Sequence, residues 1–359
     1  MSIIMNSVSN HKIKVAFFPK LEKLQENPYW YIQQKTLLDK GIQIEEINPD
    51  YFDEKWLWKN RKRNQILHIH YIHQFYNSKR YINVFRFGLN LIFARILGFQ
   101  TIFTLHNLEP TFYLHPIWLD KIGHFFTIML SKKIIVHCEE AKILLFKKYG
   151  RKKNVFIVNH PNFFNYYQNQ TTQKAARLDL NISEDAIVLL FFGGIRPNKG
   201  IENLIKEFKK INNPNLRLLI GGKPDRDIEY NKLIKNISQS DDRILLNLRF
   251  IPDNEIQIYF NAADIVVLPF SRILTSGSTI LALSFGKPVI VPNMGCLKNL
   301  VTSDIGWLFD PANPQTIKDR LMEAIESNYK QMGENAFEKI KEFSHNKFGD
   351  QTINVYNNS

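Results

Sequence analysis

The sequence predicts an α/β protein made of two domains, each built around a parallel, doubly wound sheet. Three observations lead to this class. Apolar runs of strand length alternate with helical patterns along most of the chain. This alternation stops once, at a polar stretch near the middle, and then restarts. The 359 residues also suit two domains of roughly 170 to 190 residues better than one. We therefore expect two similar halves that face each other across a cleft.

The first half contains six short apolar runs that fit buried strands. They lie at 13–18, 42–47, 66–70, 101–105, 134–137 and 155–159. The clearest predicted helix covers about 29–40, because Asn27-Pro28 suits a helix start and Gly41 a helix end. An amphipathic helix is predicted at 85–97.

The second half begins after residues 166–176, a polar stretch that we interpret as a linker. Strands are then predicted at 186–192, 216–220, 244–250, 265–269 and 289–292, and helices at 201–210, 254–262 and 280–285. We assign residues 1–170 to an N-terminal domain and 177–342 to a C-terminal domain. The closing segment, 343–359, has a weak amphipathic pattern that allows it to cross back to the N-terminal domain. In doubly wound sheets the ligand crevice lies at the carboxyl ends of the strands.

The positive charge of the chain is concentrated in its first half. The net charge is +13, and residues 1–180 contain 26 Lys and Arg against 13 Asp and Glu, whereas residues 181–359 contain 21 against 21. Such asymmetry indicates an anionic partner for the first half: nucleic acid, an acidic membrane face or a phosphate-bearing substrate. Any single basic cluster is more often a solvated face than a binding site.

The cysteine content and the apolar stretches bear on location. Cys138 and Cys296 are far apart in the sequence and lack metal-ligand spacing, which favours a reducing compartment and no zinc site. The N-terminus has no signal-peptide pattern, and the apolar stretch at 88–99 is too short to cross a bilayer. We therefore expect a cytoplasmic protein that is soluble or peripheral at a membrane.

The first candidate site is the small-residue turn that precedes the predicted helix at 280–285. Ser276, Gly277, Ser278 and Thr279 combine hydroxyl groups with a glycine at the helix entry. A helix N-terminus presents unpaired N–H groups and a partial positive charge, so this turn suits a phosphate. A plain capped helix without a ligand explains the turn equally well.

The second candidate site is the loop GGIRPNKG at 193–200, which joins a strand to a helix. Gly193 and Gly194 permit close backbone approach, while Arg196 offers a two-pronged phosphate contact and Lys199 a point charge. The spacing is not that of a Walker A loop. A surface turn with two ordinary cations is the alternative, but two such loops in one half favour a shared diphosphate.

These loops belong to a longer series of motifs. FFGGIRPNKGIENLIKEF, LRLLIGGKPD, FIPDNEIQIYFNAADIVVLPF, SGSTILALSFGKPVIVPNMG and GWLFDP occur in this order. The series resembles the C-terminal half of nucleotide-sugar glycosyltransferases of the GT-B fold, in particular group 1 or family 4, over about residues 185–357. In the first half the resemblance depends on NPYWYIQQKTLLDKG, ILHIHYIHQFY, TLHNLEP and KKIIVHCEEAK. It implies two Rossmann-like domains.

The resemblance also implies roles for individual residues. The implied catalytic residues are His106, Arg196 and Lys199, and the implied donor-binding residues are Gly194, Phe250, Ile251, Ser276, Gly277, Ser278 and Thr279. Arg196 and Lys199 would bind the donor diphosphate, Phe250 and Ile251 would lie near the nucleobase, and His106 would lie at the sugar end. The implied reaction retains configuration, with the departing phosphate as base. Neither a metal nor a cofactor is expected, since the nucleotide sugar is a substrate.

One departure from the family pattern leaves an alternative open. Many relatives carry two Glu separated by seven residues, and Ile273 and Leu281 occupy those places here. Our leading hypothesis is a transferase that uses a nucleotide-sugar donor and a lipid-linked or growing glycan acceptor, with the basic first half near an anionic membrane surface. The alternative is an inactive GT-B protein that binds a nucleotide or a glycan.

Two weaker patterns suggest metal binding but are better explained otherwise. Asp225-Arg226-Asp227 has the Asp-x-Asp form, yet it lies in a loop of the wrong architecture. His68, His70 and His73 lie among apolar residues that favour the end of a strand. Nucleic-acid binding is disfavoured, because no recognition helix or aromatic RNA platform accompanies the basic residues.

Overall fold

The computed structural model describes residues 13–18, 27–46, 54–61, 66–72, 82–109 and 116–358. The chain divides into two compact units. The first comprises the described residues of 1–136, 145–158 and 349–359, and the second comprises 137–144 and 159–348.

The first unit contains a parallel sheet of six described strands in the order β2-β1-β3-β4-β5-β6. The strands are β1 (Lys14–Phe18), β2 (Gln43–Glu46), β3 (Ile66–Ile69), β4 (Gln100–Thr104), β5 (Lys133–Val136) and β6 (Val155–Ile157). The helices in this part of the chain are α1 (Pro28–Asp39), α2 (Glu54–Asn60), α3 (Ile82–Ile96), α4 (Ile117–Leu130) and α5 (Glu139–Tyr149). Pro28 begins α1, as its fixed φ favours.

The second unit contains a parallel six-stranded sheet in the order β12-β11-β10-β7-β8-β9. Its strands are β7 (Ile187–Phe192), β8 (Leu216–Gly221), β9 (Ile244–Asn247), β10 (Ile265–Val267), β11 (Val289–Pro292) and β12 (Gly306–Phe309). The remaining helices are α6 (Gln173–Asp179), α7 (Ile201–Phe208), α8 (Ile228–Ser238), α9 (Asp253–Ala262), α10 (Gly277–Ser284), α11 (Leu297–Leu300), α12 (Thr316–Glu326), α13 (Tyr329–Ile340) and α14 (His345–Asn357).

The predicted class, two parallel α/β sheets of doubly wound type, is confirmed. Central strands such as β7 are buried on both faces, with Val188 and Phe191 fully inaccessible. Several elements differ from the prediction by three residues at one end. β9 ends at Asn247 instead of 250, and α3 and α10 begin at Ile82 and Gly277, each three residues earlier than predicted.

In each sheet the direction in which successive strands are added reverses at one place. In the first sheet β1 lies between β2 and β3, and in the second β7 lies between β8 and β10. In open α/β sheets a crevice forms outside the carboxyl ends of the strands at such a reversal. The loops that follow β7 and β10 therefore occupy the expected ligand position of the second unit.

The predicted linker at 166–176 was wrong, because this segment packs on the second unit. The backbone N–H groups of Gln170 and Thr171 donate to Gln257 Oε1 at 2.8 and 3.2 Å. Thr172 then caps α6, its hydroxyl oxygen accepting from the Ala175 N–H at 3.2 Å. Polar side chains that suit a linker are used here as hydrogen-bonding partners.

Residues 349–358 belong to the first unit. The Tyr356 hydroxyl lies 2.7 Å from His68 Nδ1, and the Lys133 ammonium donates to the Val355 carbonyl oxygen at 2.7 Å. The Lys40 ammonium also forms an ion pair with Asp350 at 2.6 Å.

None of the described helices is long and apolar enough to cross a membrane.

Candidate functional site

Four loops of the second unit lie at the carboxyl edge of its sheet. They follow β10, β7, β8 and β9, which are consecutive neighbours in the sheet. The loops after β7 and β10 contain the GGIRPNKG and Ser276–Thr279 motifs, and the loop after β9 contains Phe250. Parallel strands thus bring motifs from distant parts of the sequence to one edge.

The glycines after β7 and β8 allow two backbone segments to meet. The Gly193 N–H donates to the Gly221 carbonyl at 3.0 Å, and the Ile195 N–H donates to the Lys223 carbonyl at 2.9 Å. A methyl group on Gly222 would overlap the carbonyl of Gly193. Gly222 also has φ of 153°, which disfavours a side chain there. The loop after β7 is therefore held by the loop after β8.

The loop after β7 also contacts the loop after β10. Gly200 adopts a left-handed conformation, with φ of 68°, and a methyl group on it would overlap the Pro269 carbonyl. The Ser271 N–H and hydroxyl both donate to the Asn198 carbonyl at 3.2 Å. The two candidate phosphate loops are thus parts of one connected structure.

Lys199, in the loop after β7, is partly buried against the loop after β10. Its ammonium nitrogen lies 4.5 Å from the centre of the Phe270 ring. Burial, followed by the charge of Arg196, lowers the pKa of the Lys199 ammonium to about 8. A partly desolvated cation beside an aromatic face interacts more strongly with an incoming anion than a solvated one does.

Arg196 has an acidic neighbour, Asp225, and the sequence did not indicate that these two residues are close. The Arg196 Nε lies 3.5 Å from Asp225 Oδ2, and the Arg196 side chain is 45% exposed. Asp225 also accepts from the Asp227 N–H at 2.9 Å, and Asp227 caps α8. The Asp225-Arg226-Asp227 pattern therefore organises a turn and a helix start. No cluster of three or more possible metal ligands of the His, Cys, Asp and Glu types occurs in the described residues.

The helix α10 begins at the centre of this site. Ser276 is its N-cap, and the Ser276 hydroxyl oxygen accepts from the Thr279 N–H at 3.1 Å and from the Thr279 hydroxyl at 2.9 Å. The N–H groups of Gly277 and Ser278 belong to the first turn, where the helix provides no acceptor. A methyl group on Gly193 would lie 3.8 Å from the Ser278 hydroxyl oxygen. The helix N-terminus and the glycine loop are therefore adjacent.

His160 is a neighbour of this turn that the sequence did not indicate. Its Nε2 would lie 3.7 Å from a methyl group on Gly277, and its Nδ1 lies 2.7 Å from the Pro161 carbonyl oxygen. Since that carbonyl can only accept, the neutral ring carries its proton on Nδ1. Burial lowers the pKa of His160 to about 3, so the ring is neutral at physiological pH.

The residues predicted near a nucleobase differ in accessibility. Phe250 is 63% exposed, whereas Ile251 is buried at 6%. Ile251 packs beside Gly221, at the end of β8. Phe250 thus presents an aromatic surface at the site edge, and Ile251 supports the loop from inside.

His106 lies in an aromatic cluster of the first unit, at the carboxyl end of β4. Its Nε2 is 3.2 Å from His70 Nδ1. The Tyr71 ring stacks on it with centroids 5.1 Å apart, and the Tyr29 ring meets it edge-on at 5.1 Å. These rings lie at the reversal point of the first sheet.

The other histidines of the ILHIHYIH stretch have different surroundings. His68 is fully buried, its Nδ1 2.7 Å from the Tyr356 hydroxyl and its Nε2 2.7 Å from the Thr104 hydroxyl. Burial lowers the pKa of His68 to about 3. His68 therefore has a structural role as a neutral hydrogen-bonding group. His73 lies outside the described residues.

The two cysteines form a disulfide bond, with Cα atoms 5.7 Å apart. Their distance in the sequence, from which a reducing compartment was expected, did not indicate this bond. Cys138 lies in the 137–144 segment of the second unit, and Cys296 lies beside the turn, its Sγ 3.5 Å from the Thr275 hydroxyl. The Cys296 N–H also donates to the Leu274 carbonyl at 2.7 Å. The disulfide therefore anchors the segment that leads into Ser276.

Reduction of this disulfide is expected to destabilise the protein by about 2–4 kcal/mol, because the bond closes a long loop. Urea unfolding of the wild type with and without a reductant measures this difference. Cys296→Ser is the control, since its stability should not respond to the reductant. Rapid alkylation of both cysteines in the native, unreduced protein would contradict the bond.

Comparisons with known proteins agree with this architecture. Residues 172–339 match the family model for glycosyl transferases group 1. A GDP-mannose:glycolipid 4-beta-D-mannosyltransferase of Xanthomonas campestris pv. campestris is 35% identical over 104 residues, which cover 29% of this chain and 30% of that enzyme. The chain thus matches less than a third of the length of this relative.

Two solved structures show the same fold over nearly the whole chain. Sucrose-phosphate synthase from Thermosynechococcus elongatus has a TM-score of 0.73 at 16% identity, covering 96% of this chain and 98% of that one. Anabaena HepE in complex with UDP also has a TM-score of 0.73, at 15% identity, covering 96% of this chain and 99% of that one. The predicted GT-B fold is confirmed.

Proposed function

We propose that this protein transfers a hexose from a nucleotide sugar to a glycan or lipid-linked acceptor, because residues 172–339 match the family model for glycosyl transferases group 1. The donor binds to the second unit, and the first unit supplies acceptor-binding groups. Its aromatic cluster around His106 offers ring faces of the kind that stack on sugars.

The observation that supports this proposal most is the meeting of two anion-binding elements. The glycine loop after β7 and the N-terminus of α10 are adjacent, and the Lys199 ammonium, which belongs to the first loop, lies over the Phe270 ring of the loop after β10. Backbone N–H groups and a partly desolvated cation stabilise the charge that develops on a departing diphosphate. Catalysis then depends on fixed positive charge, and we propose that no metal ion takes part.

We propose GDP and UDP as the two candidates for the nucleoside diphosphate. The mannosyltransferase relative uses GDP-mannose, and HepE was crystallised with UDP. The exposed Phe250 ring can stack on either base, since every base has an aromatic face. The acceptor class is also suggested by the relative, whose name specifies a glycolipid.

We further propose that the anomeric configuration of the donor is retained. The turn carries Ile273 and Leu281 where a family Glu pair is expected, so neither position supplies a carboxylate. In a retaining transfer of this kind, an oxygen of the departing diphosphate is the base that deprotonates the acceptor hydroxyl. A product of inverted configuration by NMR would reject this mechanism and leave the transferase assignment intact.

The transferase assignment is tested in two steps on the full chain. Nucleoside diphosphates should raise the unfolding temperature more than the matching monophosphates, since the site binds both phosphates. Release of nucleoside diphosphate from the stabilising sugar nucleotide should then require a glycolipid acceptor extract. Binding of the diphosphate without transfer to any extract would favour an inactive nucleotide-binding protein. Lack of stabilisation by every diphosphate would reject both functions.

A further inference from the structure

Helix α3 of the first unit has an unusual solvent face. The sequence predicted an amphipathic helix, but the exposed side is apolar. Five large side chains at i, i+3, i+7, i+10 and i+14 lie along one stripe. They are Ile82 (73% exposed), Phe85 (47%), Leu89 (64%), Ile92 (42%) and Ile96 (75%). The opposite side of α3 is also apolar, because it packs on the unit.

Helix α4 extends this apolar surface. The two helices pack together through Phe126, whose ring lies 6.1 Å from that of Phe85 and against Gly88. The solvent side of α4 exposes Trp118 (47%), Phe125 (48%) and Met129 (36%). We refer to these three residues and the five of α3 as the α3/α4 face. Contiguous exposed surfaces of this size mark interaction sites.

The charges around the α3/α4 face are predominantly positive. Arg86 and Arg95 lie on opposite sides of the α3 stripe, and Lys121 is exposed on α4. The described carboxylates nearby are Glu54, which pairs with Arg86 at 2.8 Å, and Asp120, which is fully buried. An apolar surface with a cationic border is complementary to anionic lipid headgroups above an acyl layer. Two copies of this face would instead bring like charges together.

Two basic residues farther along the first unit have structural partners. Lys148 pairs with Glu109, and Arg151 donates to the carbonyl oxygens of Ser131 and Lys132 at 2.8 and 3.0 Å. Part of the excess positive charge of the first half is therefore engaged in ion pairs and hydrogen bonds within the fold. The apolar stripe, and not the excess charge alone, defines the surface.

We propose that the α3/α4 face docks the first unit on an anionic lipid bilayer. Helix α3 has 15 residues and so is about 22 Å long, shorter than the hydrocarbon core of about 30 Å. It therefore lies in the plane of the interface. The apolar side chains enter the boundary between headgroups and acyl chains, while Arg86, Arg95 and Lys121 contact lipid phosphates.

Vesicle flotation of the full chain tests this surface. Vesicles of phosphatidylcholine mixed with phosphatidylglycerol should bind the wild type, and added salt should weaken binding in part. The double variant Leu89→Ser/Ile96→Ser should bind on the order of tenfold to a hundredfold more weakly, since it removes apolar contacts with the lipid. Leu178→Ser, at a 76% exposed site of α6 in the second unit, is the matched control and should float like the wild type.

The outcomes separate this proposal from its rivals and from the transferase assignment. Wild-type protein that stays at the bottom of the gradient, or a double variant that floats equally well, would overturn it. So would a wild-type dimer in solution that dissociates upon the same two substitutions. The double variant should keep the wild-type unfolding temperature and nucleoside diphosphate response, so a loss of flotation is not a loss of folding or donor binding.

Discussion

Replacing Lys199 with alanine is expected to lower kcat/KM by about 10²–10³-fold, an effect typical of removing one group that stabilises a developing anion. The ammonium lies over the Phe270 ring, in the loop that leads to Ser276. Because burial already disfavours its charge, its removal should not reduce stability. The measurement is the steady-state release of nucleoside diphosphate, with the unfolding temperature determined for the same samples.

Lys206→Ala provides the matched control for this experiment. Lys206 is an exposed residue of α7, one turn and a half beyond the site, and it should tolerate the change with wild-type kinetics. A wild-type rate for Lys199→Ala would remove the central cation from the proposed site. Equal losses in both variants would indicate a general electrostatic effect instead.

The lowered pKa of Lys199 also predicts an alkaline limit to activity. With a pKa of about 8, the free protein loses the ammonium charge above that pH, and kcat/KM should fall. Lys199→Arg keeps its charge at higher pH, so its alkaline limb should be displaced upward even if the rate is lower. Stability should change in the opposite sense: between about 8 and the ordinary value of 10.5 the unfolded chain binds more protons, so stability rises with pH there.

Replacing Asp264 with alanine is expected to lower the free energy of unfolding by about 3–5 kcal/mol, because it leaves a buried guanidinium without its counterion. The carboxylate contacts Arg177 at 2.7 Å in a pair whose side chains are each 6% exposed. It also accepts from the Val188 N–H at 2.8 Å and from the Gln173 amide at 3.1 Å. These contacts tie α6 to the beginning of β7. Urea unfolding measures the change.

Two further variants separate the loss of an ion pair from a general effect of charge removal. Glu229→Ala breaks an exposed pair with Lys232 and should change stability by about 0.5 kcal/mol or less. The double variant Arg177→Met/Asp264→Leu should be more stable than Asp264→Ala, since no unpaired charge remains buried. An Asp264→Ala protein as stable as Glu229→Ala would show that the pair is not required.

The strand positions followed from local patterns and needed no tertiary information. A run such as IVLLFF at β7 is apolar throughout, because a central parallel strand is buried on both faces. The order of the motifs was equally informative. Parallel strands place the loops after β7 and β10 at one edge, so two separate glycine and serine motifs predicted one phosphate site.

The individual contacts of the site could not be predicted from local sequence patterns. Arg196 was predicted from its place in a glycine loop between a strand and a helix, but its pairing with Asp225 depends on the loop after β8. Residues 166–176 were interpreted as a linker because their composition is polar, whereas the Gln257 side chain provides the partner that fixes them. Neither partner is near in sequence.

By itself, the sequence determined the strands β1 to β11, five of the helices, the division into two α/β halves and the candidate phosphate loops. Each of these depends on periodicity or turn chemistry within a few residues. Tertiary structure alone decided that Cys138 meets Cys296, that Asp264 neutralises Arg177 and that the outer face of α3 stays apolar and exposed. These features arise from contacts between residues far apart in the chain, and local composition carries no information about which distant side chain will be adjacent.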